Sequence, residues 1–133
     1  MKKYLIISLT LILFLIFKND AFAQLTPSKP EIGKWQLKDD PNSFWEFKND
    51  GKMYSSYTGN TEINVFTYSI SDTPPTCQEG VTLAVRKKVN YLTLKFDKYN
   101  TISCFYIYGL NNEIFTVMDA ETGHTLPFTK VED

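Results

Sequence analysis

From Gly33 to Val131 apolar and polar side chains alternate in short runs cut apart by turn-forming residues, which restricts the chain to a fold of short, half-buried strands. Trp35 and Leu37 alternate with Lys34, Gln36 and Lys38; Trp45 and Phe47 alternate with Glu46 and Lys48, across the turn Asp39-Asp40-Pro41-Asn42. Asp50-Gly51 suits a two-residue hairpin, whose central positions need positive φ, leading into a strand over Met53–Thr58. After the break at Gly59-Asn60, Phe66, Tyr68 and Ile70 alternate with Val65, Thr67 and Ser69. The stretch from Ser71 to Thr76 holds Pro74 and Pro75, which lack ladder donors, so a longer loop carrying Cys77 is expected. Val81, Leu83 and Val85 form the next alternating set, followed by the basic turn Arg86-Lys87-Lys88 and the set Leu92, Leu94 and Phe96. Strands are then expected over Ile102–Tyr108, Ile114–Met118 and Leu126–Val131, divided by Asn111-Asn112 and by Glu121-Thr122-Gly123. About nine short strands and no helix point to an all-β barrel or sandwich.

The amino-terminal segment follows a different rule. Met1-Lys2-Lys3 is basic, Tyr4 to Phe17 is an apolar run shorter than the roughly 20 residues a membrane-spanning helix needs, and Ala21-Phe22-Ala23 has the form signal peptidase accepts. Residues 1–23 therefore read as a cleaved signal peptide, residues 24–32 as an extended leader with Pro27 and Pro30, and residues 33–133 as one β domain. Cys77 is the first cysteine, so no thiol near the cleavage point could carry a lipid, and a periplasmic or secreted protein rather than a lipoprotein is expected.

Lys2, Lys3, Lys18 and Asp20 leave with that peptide, so the mature chain is more acidic than the formal charge of −1 of the whole. With one arginine, Arg86, the chain lacks the basic surface that neutralises phosphates, which argues against nucleic acid as a partner. Export exposes Cys77 and Cys104 to an oxidising compartment, and two cysteines with none left over imply one disulfide. Such a bond restricts the unfolded chain by about 3.5 kcal/mol in the loop-entropy account. If Phe105 and Ile107 face inward, parity puts Ile102, Cys104, Tyr106 and Tyr108 on the outer face. The disulfide would then pin the Pro-Pro loop against the outer wall.

Taken in order, Gly33-Lys34-Trp35, Trp45-Glu46-Phe47 running into Asp50-Gly51-Lys52, Tyr68-x-Ile70, Phe105-x-Ile107-x-x-Leu110 and Phe128-x-Lys130 resemble the lipocalin-like domains of small secreted bacterial proteins. The resemblance implies an up-and-down antiparallel β-barrel of eight to nine short strands, either filled by side chains or holding one small apolar ligand. It further implies that Trp35 packs at the closed end under a basic side chain from a late strand, for which Lys130 is best placed. The chain departs from full-length lipocalins in its shortness and in having no long helix before the last strand, so a smaller cup is expected.

Catalytic chemistry finds little footing. His124, the one histidine, sits beside Gly123 in an expected turn, and Asp39-Asp40 beside Pro41 reads as a solvated turn. One histidine and two paired cysteines fall short of a zinc site, and no phosphate-cradling glycine motif occurs. No enzyme activity, metal or cofactor is expected. The tyrosines Tyr54, Tyr57, Tyr68, Tyr91, Tyr99, Tyr106 and Tyr108 suit pleated surfaces, and Tyr106 and Tyr108 are the pair expected to be exposed together as a patch. The first functional expectation is a monomeric exported carrier of a small apolar ligand, without a stable membrane anchor, lined by Trp45, Phe47, Phe66, Tyr68, Leu83, Leu94, Phe105 and Phe128. The alternative is a filled barrel whose outer surface contacts a protein or a glycan, as an inhibitor or envelope component.

Overall fold

The computed structural model describes residues 29–132. The expected signal peptide and the first residues of the leader lie outside them. Eight strands follow in chain order: β1 (Gly33–Leu37), β2 (Ser43–Phe47), β3 (Lys52–Tyr57), β4 (Asn64–Ser71), β5 (Asn90–Phe96), β6 (Thr101–Leu110), β7 (Ile114–Asp119) and β8 (Thr125–Lys130). Each pairs antiparallel with the next, and β1 pairs with β8, so the sheet closes into an up-and-down barrel without a free strand edge.

Register follows from which residues must be kept from water. The pairs Trp35↔Trp45, Phe47↔Met53, Tyr68↔Leu94, Leu92↔Phe105 and Phe115↔Phe128 place the large apolar side chains on one face around the ring. Trp35, Phe47, Met53, Leu92, Phe115, Val117 and Phe128 are fully buried there. A β-bulge in β6 leaves Tyr108 without a partner in β7, since Ile107 pairs Val117 and Gly109 pairs Thr116. The seam between β1 and β8 holds only the pairs Trp35↔Lys130, Gln36↔Thr129 and Leu37↔Phe128. Beyond it comes Pro127, which has no N–H to extend the ladder, although its carbonyl accepts the Lys38 N–H at 2.8 Å.

Two local expectations require correction. The β2–β3 connection is one residue longer than a two-residue hairpin: Gly51 N–H bonds Lys48 O at 3.2 Å and Lys48 N–H bonds Lys52 O at 2.9 Å. Gly51 alone takes positive φ, at 80°, as in a type I turn closed by a left-handed glycine. Residues 81–85 form no ninth strand. Ser71 at the end of β4 pairs directly with Tyr91 of β5, so the sheet offers Val81, Leu83 and Val85 no place to insert. The chain between β4 and β5 instead makes a single turn at Gln78–Gly80, an isolated bridge between Thr76 and Thr82, and a strap over the outside of the barrel.

Candidate functional site

Seven of the eight residues expected in the interior line it: Trp45, Phe47, Phe66, Tyr68, Leu94, Phe105 and Phe128. Leu83 does not. It belongs to the strap outside the barrel, beside Cys77 and Cys104, because its segment never joins the sheet. The interior rings meet one another across the barrel. Trp45 of β2 lies 5.6 Å from Phe105 of β6 and 4.7 Å from Phe128 of β8, centroid to centroid. In a ring of eight strands β2 and β6 stand opposite, so the Trp45–Phe105 contact spans the full width, whereas Phe128 packs beside Trp45 with only β1 between their strands. Below them Phe47 meets Phe115 at 5.5 Å and Tyr68 at 4.9 Å, and Trp35 meets Phe115 at 5.5 Å. Near the β5–β6 turn, half-buried Phe66 and Phe96 meet at a tilt 4.8 Å apart, and exposed Tyr99 stands against Phe96 at 5.2 Å.

The end at which the chain enters is closed by its own backbone. Trp35 Nε1 donates to the Glu31 carbonyl at 2.8 Å, and Lys130 Nζ lies 5.1 Å from the Trp35 ring centroid while donating to the Ile32 carbonyl at 2.7 Å. Gly33 has φ of +125°, and a Cβ there would come within 2.8 Å of Lys130 Cε, so both backbone and space require glycine. Tyr68 hydroxyl donates to the Lys48 carbonyl at 3.2 Å. Burial pushes its phenol above the ordinary value of 10.0, and the negative charges of Glu31 and Asp50 add to the effect. On the outer face, the Lys52 ammonium and the Thr67 hydroxyl bond Asp97 at 3.1 and 3.0 Å and hold its carboxyl below the usual carboxylate range.

Outside the barrel Cys77 and Cys104 are joined, with Sγ atoms 2.08 Å apart and Cα atoms 6.0 Å apart, which fastens the strap to the wall of β6. Under the strap Tyr91 hydroxyl accepts the Arg86 amide N–H at 2.9 Å and donates to the Ala84 carbonyl at 3.1 Å. The Arg86 guanidinium carbon stands 4.1 Å from the Tyr106 ring centroid, and its Nη1 donates to the Tyr108 hydroxyl. Tyr106 thus points outward, as parity requires, but is 5% exposed, so it forms no open patch with Tyr108. Tyr108 remains half exposed. Arg86 and Tyr91 were not singled out from the sequence as site residues. The signal was present: a loop tied to outward-facing Cys104 must also cover its neighbours on that face, Tyr91 and Tyr106 among them.

A recess of about 250 Å³ lies where the strap meets the β7–β8 turn, bordered by the disulfide, Leu83, Ile102 and the carboxylates Glu79, Asp119 and Glu121. Asp119 already accepts the Glu121 and Thr122 N–H groups at 2.8 and 2.9 Å. His124 lies exposed in the β7–β8 turn, and its carbonyl accepts the Asp119 N–H at 2.8 Å. Asp39 and Asp40 lie in the β1–β2 turn, where Asp40 Oδ1 accepts the Asn42 N–H at 3.2 Å.

Fold and site together define a closed eight-stranded, up-and-down antiparallel β-barrel with an aromatic interior and a disulfide-pinned outer strap. No protein-family model, curated protein or solved structure matches the chain.

Proposed function

We propose that this is an exported, lipocalin-like binding protein that works through its outer wall, with the barrel as a rigid frame rather than a cup. The observation that carries the reading is Trp45, whose ring meets Phe105 across the interior and Phe128 beside it and occupies space an apolar ligand would need. Aromatic side chains at such distances fill a small barrel, as eight-stranded barrels commonly are filled. Export is supported by the form of residues 1–23 and by the joined cysteines, which persist in oxidising compartments. Binding rather than catalysis is supported by the placement of His124 and of Asp39-Asp40 in two different turns, each exposed or half-exposed.

A second reading keeps the carrier. Half-buried Phe66 and Phe96, with Tyr99 at their edge, form an aromatic group near the β5–β6 turn that a small apolar ligand would pack against. Native mass spectrometry of the protein purified from its own host separates the two. A mass two hydrogens below that of the reduced chain, with no saturable uptake of a fluorescent fatty acid, is expected. A stoichiometric ligand that organic solvent strips away would overturn the outer-wall reading in favour of the carrier.

A further inference from the structure

Arg86 is the only arginine of the chain, and three tyrosines organise it. Tyr91 fixes the backbone on both sides through the Arg86 N–H and the Ala84 carbonyl, Tyr106 supports one face of the guanidinium, and Tyr108 accepts from Nη1. Tyr108 reaches that position as the extra residue of the β6 bulge, a device that re-aims a side chain. Among the described residues no carboxylate pairs with Arg86, although it is exposed. A guanidinium carries five donors in a planar fork, so most remain for a ligand, and the fork is already held in place. Lys87 and Lys88 follow at an exposed turn and extend the positive charge, while Val85 is 81% exposed beside them.

We propose that Arg86 and Tyr108 form a binding site for the carboxylates of an acidic polysaccharide on the outer wall. The proposal rests on the reading that the protein acts through that wall. A sugar carboxylate matches the fork bidentately, the half-exposed Tyr108 ring offers a surface for the C–H face of a pyranose, and the two lysines attract successive acid groups. An acidic peptide fits less well. The closed barrel leaves no sheet edge for strand addition, and the recess by the strap borders Cys77–Leu83 rather than Arg86.

The test titrates the full, disulfide-bonded protein with an oligogalacturonate, with its methyl ester of equal length, and with an oligoglutamate, followed by calorimetry and by amide NMR shifts. Expected is saturable binding of the oligogalacturonate that weakens with salt and shifts the Arg86 and Tyr108 signals, and none of the ester. Arg86→Lys, which keeps the charge but loses the fork, should weaken binding by about tenfold or more. Tyr108→Phe should weaken it while the thermal midpoint and near-ultraviolet dichroism hold, which separates binding from folding. Absence of oligogalacturonate binding, equal binding by Arg86→Lys, or equally tight binding of oligoglutamate would overturn the proposal. Recovery of an apolar ligand from the interior would instead overturn the outer-wall reading, so the two failures are distinguishable.

Discussion

Lys130 Nζ stands 5.1 Å from the centre of the Trp35 ring and 2.7 Å from the Ile32 carbonyl, so one ammonium joins the last strand, the first strand and the chain that enters the barrel. The lysine stem passes where a side chain at residue 33 would be, which ties Gly33, Trp35 and Lys130 into one packing unit.

Gly33→Ala is expected to destabilise the protein by about 2 kcal/mol, because the new methyl meets Lys130 Cε and the backbone sits where L residues are strained. Lys130→Met keeps an apolar stem over the indole but removes the cation and a carbonyl's donor, for a loss of about 1–2 kcal/mol. Urea denaturation measures both, and near-neutral results would deny the unit its structural role.

Trp45→Ala should cost about 2–4 kcal/mol, because the ring is half-buried, and open a space beside Phe105 and Phe128. The variant should then take up an apolar probe that the parent excludes. Fluorescence titration of both proteins is the check, and equal uptake would mean that Trp45 is not what fills the interior.

Replacing Cys77 and Cys104 together with serine should lower stability by about 3 kcal/mol. Hydrogen exchange should rise first between residues 72 and 89 and at the amides beneath them, while the β1–β4 ladders stay protected. No strap residue pairs in those ladders, so uniform loss of protection would show that strap and barrel fold as one unit.

Two groups make stability depend on pH. The Asp97 carboxyl titrates below its ordinary 3.8 because Lys52 and Thr67 bond its charged form, so its stabilisation is present above 3.8 and is lost as pH falls through the lower folded value. Asp97→Asn should remove that part of the acid loss, and added salt should shrink it. Tyr68 works in the other direction. Its phenol is raised above 10.0 by burial, so stability holds below 10.0 and declines as pH rises through the folded value. Tyr68→Phe should blunt the alkaline decline, read from denaturation midpoints across the pH range.

The alternation of Trp35, Phe47, Tyr68, Leu94 and Phe105 with polar neighbours made the eight strands legible, because each must bury one face. The same rule misread residues 81–85. Val81 and Val85 alternate as a strand would, yet both are exposed, since closure of the ring between β4 and β5 leaves no vacancy and alternation alone does not count available neighbours. Parity gave the outward direction of Tyr106 but not its burial, which comes from a loop that crosses outside the sheet. The Arg86 cluster was hidden for the same reason: its members come from two strands and a strap, brought together by the Tyr91↔Tyr106 register, the Tyr91 hydroxyl and the Cys77–Cys104 tie.

The seam has a consequence for how the barrel comes into being. Its three register pairs join chain segments held by a contact between residues 98 positions apart, Lys130 and Ile32, whereas the other ladders form between consecutive strands. A chain that orders itself from its amino terminus can zip β1 through β7, but the hoop stays open until Lys130 arrives. Until then Trp35 has no lid and two strand edges are bare, so slow arrival of the last strand would leave the newborn protein at its stickiest just before completion.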